Sequence, residues 1–343
     1  MYGIFTEIET AMKALILASR QRYERYMPDN EFVKNTGKIY IPFNQTDDEI
    51  LGAAEAAGAL DAEVIFVDAI GRVGRGLISR MPNLKLIQSE GVGYNGIDLA
   101  AAKERGILVC NNKGVNADSV AEQTILLALG LLRRVVVFDG RVREGLQIQT
   151  KEEMMLGGIR ELSECTVGLI GFGDIAKAVA LKLKPFGCRV VYFTRHPLSA
   201  EDETYFGATY LPLDELLGIC DIVSLHLPVT ESTVNTVNAD FIGKMKKTAY
   251  LINTARGELV DNPAVCSALV EGRIAGAGFD CVAPEPTLRD NPLLNLPKSA
   301  AEKVIFSPHV GGISERSFIV AHKRIWENAQ AVHNGEMPRN IVP

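Results

Sequence analysis

The sequence has no CxxC pair and no Cys/His grouping at zinc-ligand spacing. Its six cysteines, Cys110, Cys165, Cys188, Cys220, Cys266 and Cys281, are scattered, most of them inside apolar runs. That excludes a zinc ribbon or a disulfide framework, fits a reduced, cytoplasmic chain, and gives no expectation of a metal site. No apolar run reaches the roughly 18 residues that a membrane span requires, so no membrane partner is expected. The first apolar run, Ala14 to Ala18, follows Glu7 and Glu9 and is too short and wrongly flanked for a signal peptide. Positive charge is not in excess either: 36 Lys and Arg stand against 42 Asp and Glu, a net charge of −6. A broad cationic surface is therefore absent, and nucleic acid is not an expected partner. There is no low-complexity segment and no short repeat.

What is present is the composition of a folded protein, with 47% apolar and 23% charged residues over 343 positions. That length suits two domains better than one. Short β-type apolar runs alternate with helical patterns almost throughout, which implies βαβ units and parallel sheets, an α/β class. In the first third the runs KALILAS (13–19), AEVIFVD (62–68), LKLIQSE (84–90) and ILVCN (107–111) read as strands, with helices around 47–59 and 98–105. An apolar helix from Ser119 to Arg133 reads as a bridge between domains, and 139–164 as a polar stretch. Six strands follow: TVGLIG (166–171), RVVYF (189–193), DIVSL (221–225), TAYLINT (248–254), IAGAGFD (274–280) and VIFSP (304–308). This second series suits a dinucleotide-type sheet. The last segment, Ser314 to His333, reads as an amphipathic helix carrying the single tryptophan, Trp326, and returning to the first domain.

Two glycine loops compete for a pyrophosphate. Gly171-Phe172-Gly173-Asp174-Ile175-Ala176 and Gly91-Val92-Gly93-Tyr94-Asn95-Gly96 each follow a strand and precede a helix, and the pattern alone does not choose. Context favours the loop at 171, which opens the longer helix and heads the six-strand series. The loop at 91 is then either a tight turn or a cradle of N–H groups for a smaller anion such as a carboxylate.

Ligands of open parallel sheets lie outside the carboxyl ends of the strands. The residues there include Thr194 with Arg195, His226, Thr254 with Arg256, Asp280 and His309. Arg256 could hold an α-oxo carboxylate and polarise its carbonyl. His309 could exchange a hydroxyl proton near neutral pH, and Glu285 could accept from its other ring nitrogen. His226 is a rival proton donor, although a structural or cofactor-contact role suits it better.

In order along the chain, GVGYNGID (91–98), GVNADSVAEQTILLALGLLRR (114–134), TVGLIGFGDIA (166–176), LHLPVT (225–230), INTARGELVD (252–261), GFDCVAPEP (278–286) and SPHVGG (307–312) resemble the D-isomer-specific 2-hydroxyacid dehydrogenase family. The resemblance implies a Rossmann-type nucleotide domain over 116–312. It also implies a smaller, discontinuous flavodoxin-like substrate domain over 1–115 and 313–343, with a cleft between the two and homodimers through the nucleotide domain. It implies catalysis by Arg256, Glu285 and His309, and substrate contacts from Val92, Gly93, Tyr94 and Arg256. Cofactor contacts would come from Gly171, Gly173, Asp174 and Ile175, from Thr194 and Arg195, from Leu227 and Pro228, and from Thr254, Ala255, Asp280, His309 and Gly311. Asp280 would lie near the nicotinamide carboxamide.

Two departures from the family pattern matter. Members that prefer NAD carry an acid where Thr194 stands, 18 residues past Ala176. Thr194-Arg195-His196 suits a 2′-phosphate instead, so NADPH is the expected cofactor, with NADH possible. Asp68 and Glu90, if turned toward the substrate, would repel a second anionic group and argue against 3-phosphoglycerate; either could equally be solvated. The stretch after His309 is too short for the regulatory domain of long phosphoglycerate dehydrogenases.

The leading expectation is an NADPH-dependent reductase of glyoxylate, hydroxypyruvate or a related small 2-oxo acid. An NAD-dependent 3-phosphoglycerate or sugar-acid dehydrogenase is the alternative within enzymes. Glu285 in the histidine partner's place disfavours a formate-type enzyme. A dinucleotide-sensing corepressor or scaffold of the same fold is the alternative of a different class. A short-chain dehydrogenase is excluded, because no Tyr has a Lys four residues on.

Overall fold

The computed structural model describes residues 12–342 apart from Asn44; Glu7 and Glu9 lie outside the described residues. The chain divides into two compact units. One runs to Asn116 and resumes at Ile313, and the other is Ala117–Gly312. Each is built on an all-parallel sheet, described here separately.

The first unit has five strands: β1 (Lys13–Leu17), β2 (Gly37–Ile41), β3 (Val64–Val67), β4 (Leu86–Ser89) and β5 (Leu108–Cys110), in the order β2-β1-β3-β4-β5. β3 and β4 are buried at every position. The unbroken apolar sequence of β3, VIFV, is what a strand covered on both faces requires; β4, LIQS, is as buried but carries Gln88 and Ser89, whose side chains are hydrogen-bonded. β2 was not legible in the sequence. It is an edge strand, GKIYI, whose Gly37 is exposed and whose next three residues are half-buried, so it lacks the apolar run of its neighbours. The helix Asp47–Ala56 starts at a capping box in which Thr46 and Glu49 satisfy each other's backbone N–H groups.

The helix Glu315–His333 belongs to this first unit. Its buried stripe, Ile325, Trp326, Ala329 and Val332, enters one core with Ile16, Phe66 and Leu86 of the sheet. Trp326 meets the Phe66 ring edge-on, with centroids 4.9 Å apart. The amphipathic spacing of this helix is thus the sequence trace of burial against a sheet whose strands precede it by more than two hundred residues.

The second unit has seven strands: β6 (Thr166–Ile170), β7 (Arg189–Phe193), β8 (Ala208–Tyr210), β9 (Ile222–Leu225), β10 (Tyr250–Asn253), β11 (Gly276–Phe279) and β12 (Val304–Phe306). Their order is β12-β11-β10-β9-β6-β7-β8. The strand missing from the sequence reading is β8, a three-residue edge strand too short to show a period. The helix Ala117–Leu132 does not bridge the units. It starts the second one, and Ala121, Leu127, Ala128, Leu131 and Leu132 join that unit's core beside Val179 and Leu183. The stretch read as polar between 139 and 164 is mostly helical, Val135–Arg143 and Gln147–Gly157. Its only buried side chain in either helix is Thr150, so no apolar face betrays it.

Truncating Phe66 to Ala would leave a cavity under Trp326. We expect a loss of about 3–5 kcal/mol in urea unfolding followed by the fluorescence of the lone tryptophan. A loss below 1 kcal/mol would contradict this packing.

Candidate active site

In the seven-stranded sheet the chain reverses direction of sheet-building between β6 and β9, the place where open α/β sheets take ligands. The loops leaving these two strands touch: His226 N–H donates to Ile170 O at 2.7 Å. Gly171 has φ +90°, and a Cβ there would fall 2.5 Å from the His226 carbonyl oxygen. Only glycine makes this turn. Gly173 is the N-cap of the helix Asp174–Leu183, with no side chain capping it, and a Cβ on Gly173 would meet nothing within 4 Å. Open space before a helix start with uncapped N–H groups, at Asp174 and Ile175, suits a phosphate. In the competing loop none of Gly91, Gly93 and Gly96 has a positive φ, and its helix, Leu99–Glu104, starts only at Asp98.

After β7, Thr194 is half-buried, and Arg195 and His196 are exposed. Arg195 has no ion pair among the described residues. The acid brought to this strand is Glu203, whose Oε1 already accepts from the Tyr192 hydroxyl at 2.9 Å and the Tyr210 N–H at 3.0 Å. After β9, Leu227 is half-buried and Pro228 exposed. The Nε2 of His226 lies 3.0 Å from the Ser224 hydroxyl, and burial of the ring pushes its pKa down to about 3. A ring that stays neutral is a poor proton donor at neutral pH, which weighs against His226 as the acid.

β10 ends in a turn clamped by its own last residue. The buried Asn253 accepts from Ala255 N–H at 3.0 Å and donates to Arg256 O at 2.8 Å. The Thr254 hydroxyl pairs with that of Thr124 at 2.8 Å. Arg256 is half-buried; its Nη1 donates to Ala255 O at 2.7 Å, and no carboxylate among the described residues pairs with it. The turn then packs so tightly that a Cβ on Gly257 would lie 2.1 Å from Ala283 N. This contact locks the Arg256 turn to the segment carrying Glu285.

His309 follows β12 with φ +55°, an unusual backbone for a side chain of its size. Asp280, buried at the end of β11, explains how it is held. Its carboxylate accepts from Ser307 Oγ (2.5 Å), Val310 N–H (3.0 Å) and Gly311 N–H (2.8 Å), and its carbonyl accepts from His309 N–H (2.8 Å). Both carboxylate oxygens are thus taken up in shaping the loop. His309 Nδ1 lies 2.9 and 3.1 Å from the two Glu285 oxygens. The Ala255 carbonyl that takes Arg256 also lies 3.5 Å from Cys281 Sγ, and Cys281 is grouped with Glu285 and His309, their ligand atoms all within 4.8 Å of one another. Arg256, Glu285 and His309 therefore gather at neighbouring strand ends of one sheet.

In the first unit, the carbonyls of the loop after β4 are engaged: Gly93 O by Ser89 Oγ at 2.6 Å, Val92 O by Asn111 Nδ2 at 2.8 Å, and Gly91 O by Asn112 N–H at 2.8 Å. The N–H groups of Val92 and Gly93 have no acceptor among the described residues, and Tyr94 packs on this unit's core. Asp68 and Glu90 are paired rather than solvated, and share one cation. Arg22 Nη2 donates to both, at 2.6 and 2.5 Å, and Glu90 also meets Nε2 of the fully buried His322 at 2.9 Å. Sequence reasoning missed Arg22 and His322 because their carboxylate partners lie 46, 68 and 232 positions away. Asn253 was findable, as the one amide inside an otherwise apolar strand.

Residues 125–311 match the family described as "D-isomer specific 2-hydroxyacid dehydrogenase, NAD binding domain". Among curated proteins, a glyoxylate reductase of Korarchaeum cryptofilum is 39% identical over 262 residues, 76% of this chain and 76% of that protein. A glyoxylate reductase of Thermofilum pendens is 36% identical over 286 residues, 82% of this chain and 81% of that one. Among solved structures, a D-lactate dehydrogenase of Aquifex aeolicus complexed with NAD and lactic acid is similar with a TM-score of 0.80 and 29% identity. That likeness covers 94% of this chain and 96% of the other.

Because the folded His226 titrates well below its ordinary value near 6.5, an unfolded chain takes up this proton first as pH falls. The stability it contributes is present above about 6.5 and lost toward about 3. Urea unfolding across pH 4 to 7 should show a shallower acid loss in His226→Gln than in the parent protein; identical slopes would refute the assignment.

Proposed function

Because the chain belongs to the D-isomer specific 2-hydroxyacid dehydrogenase family, we propose that it reduces a small 2-oxo acid such as glyoxylate or hydroxypyruvate to the D-2-hydroxy acid. NADPH is the preferred reductant, and NADH the lesser one. The observation that carries this reading is the His309–Glu285 pair gathered with an Arg256 that no carboxylate neutralises. A sensor or scaffold of the same fold has no need of an unpaired guanidinium beside an oriented imidazole.

When bound, a reduced nicotinamide supplies the hydride. The chain's own residues do the rest. Arg256 binds the oxo acid and stabilises negative charge growing on its carbonyl oxygen. Glu285 accepts the Nδ1 hydrogen bond of His309, which leaves Nε2 to deliver the proton to that oxygen. Asp280 holds the loop so that the ring keeps this aim. The Val92 and Gly93 N–H groups of the first unit are the donors for the substrate carboxylate, and Tyr94 borders them. For the dinucleotide, the Gly171 and Gly173 turn and the helix start at Asp174 and Ile175 take the pyrophosphate. Thr194 and Arg195 take the 2′-phosphate. Leu227, Pro228, Thr254, Ala255 and Gly311 supply the remaining contacts. The residue directly after β7 is Thr194 rather than an acid, and Oε1 of Glu203, the carboxylate that does reach this strand, is engaged by Tyr192 and Tyr210, which supports the preference for NADPH.

Arg22 offsets one of the two negative charges of Asp68 and Glu90, which weakens the like-charge argument against a phosphorylated substrate without removing it. Exposed apolar side chains on successive helices, Val135, Val136, Ile148, Met155 and Leu156, with Leu156 91% exposed, support a homodimer through the second unit.

Steady-state kinetics with both reductants across glyoxylate, hydroxypyruvate and branched 2-oxo acids test the reading. His309→Ala should lower kcat by about 10²–10⁴-fold. Arg195→Asp should lower kcat/KM for NADPH by roughly tenfold, about 1.4 kcal/mol, while sparing NADH. Turnover of no 2-oxo acid, or NADH used as well as NADPH by the parent protein, would overturn the corresponding part. In light scattering the parent should be a dimer, and the double variant Met155→Asp, Leu156→Asp a monomer; a monomeric parent would contradict the interface.

A further inference from the structure

Cys281 takes no part in the chemistry proposed above, yet its thiol sits among the groups that perform it. It is 1% exposed, directly after Asp280, and its Sγ lies 3.5 Å from the Ala255 carbonyl oxygen. Sγ, a Glu285 oxygen and a His309 ring nitrogen all lie within 4.8 Å of one another. The side chains of His309 and Glu285 are 31% and 25% exposed, so a solvated ion can reach them from outside while the thiol waits beneath.

We propose that Cys281, Glu285 and His309 form a binding site for a divalent cation of the zinc class, whose occupation reversibly switches off proton transfer at His309. Zinc takes sulfur at about 2.3 Å and nitrogen or oxygen at about 2.0–2.2 Å, which sets tetrahedral ligand separations of about 3.3–3.7 Å. The Nδ1–carboxylate pair, now 2.9 Å apart, need open only by a few tenths of an ångström, and the thiol, within 4.8 Å of both, need move only modestly to reach it. Thiolate and imidazole together select zinc, cobalt or cadmium over magnesium and calcium, which prefer oxygen. The carboxylate of Asp280, the nearest further acid in sequence, is not available as a ligand, because three protein donors already occupy it.

The charge balance around the thiol also suits a cation. Glu285, Asp280 and Glu258 bear on it with negative charge, and Arg256 alone opposes them. Burial holds the thiol protonated when no metal is bound, so binding releases the Sγ proton to solvent and affinity rises with pH.

Inhibition follows from which nitrogen the metal takes. Nδ1 is the nitrogen that faces Glu285, and a metal there replaces the proton that Glu285 now holds. The ring is then fixed as the neutral Nε2–H form. It has no second site on which to carry a proton, so it is no longer an imidazolium that can donate and become neutral, nor a base with a free Nε2. Binding does not depend on the proposed reaction; the loss of turnover rests on that reading of His309.

The decisive experiment titrates the protein, without dinucleotide or substrate, with Co²⁺ near pH 7.5 and records near-ultraviolet thiolate-to-cobalt absorbance. We expect one equivalent of Co²⁺ to produce that band, Zn²⁺ to abolish it, and excess Mg²⁺ to leave it unchanged. Cys281→Ala and the volume-filling Cys281→Val should both lose the band, whereas Cys188→Ala and Cys266→Ala keep it. In turnover assays Zn²⁺ should inhibit the parent protein, with recovery on chelation. The two Cys281 variants should keep the parent rate and need on the order of tenfold more Zn²⁺ for the same inhibition. No cobalt–thiolate band, a band that survives both Cys281 substitutions, or equal Zn²⁺ sensitivity in all proteins would overturn the proposal. A band that obeys these expectations in a protein that turns over no 2-oxo acid would uphold the site and refute the enzymatic reading instead.

Discussion

Asp280 commits both of its carboxylate oxygens to a single five-residue loop. A buried carboxylate is costly unless its oxygens are satisfied. Here Ser307 Oγ and the Val310 and Gly311 N–H groups satisfy it. The same bonds bend the chain so that His309 takes a backbone conformation that its side chain disfavours. Backbone bonds from His309 N–H to the Asp280 and Ser307 carbonyls share in shaping the turn, but the carboxylate alone gathers Ser307, Val310 and Gly311 to one point. The orientation of His309 toward Glu285 and its spacing to Cys281 depend on that loop, while the Gly257–Ala283 contact ties the Arg256 turn to the segment carrying Glu285. A residue expected to touch cofactor thus also acts as the frame of the site.

Charge management has the same local character. A chain of net charge −6 that binds an anionic dinucleotide and an anionic acid gains nothing from its overall field. In the proposed reading, local groups provide the attraction: the uncapped helix start after Gly173, the Val92 and Gly93 amides, and Arg195 and Arg256, which have no ion pair among the described residues. The acids near the amides of the first unit, Asp68 and Glu90, share the single positive charge of Arg22, with His322 behind Glu90. Arg22 is itself held between the two carboxylates. It is therefore a compensating charge in this network rather than a free anion receptor.

Much of this was legible before any coordinates. The alternation of apolar runs reported two parallel sheets, and apolar strands such as KALIL and VIFV were visible because both faces of those strands are covered. The strands that escaped, β2 and β8, lie at sheet edges where half-exposure or brevity dilutes the pattern. The helices between Val135 and Gly157 escaped because they bury almost nothing in their own unit, so no 3.6-residue period is imposed on them. Of the candidate site, Arg256 and His309 could be named because strand ends are where ligands bind, and Glu285 through the family resemblance. Arg22, and the inward use of Asp280, could not.

The sequence by itself determined the local elements: which runs are strands, where Gly171 must turn, which helix carries Trp326. It did so because turn chemistry and hydrophobic periodicity act over a few neighbouring residues. Tertiary structure alone decided which charges cancel and which remain free. Arg22 meets Asp68 and Glu90 while Arg195 and Arg256 meet no carboxylate among the described residues, and Cys281 comes beside Glu285 and His309. Electrostatic pairing and metal-ligand geometry depend on distance in space, and a parallel sheet sets those distances by strand order, which no single stretch of sequence records.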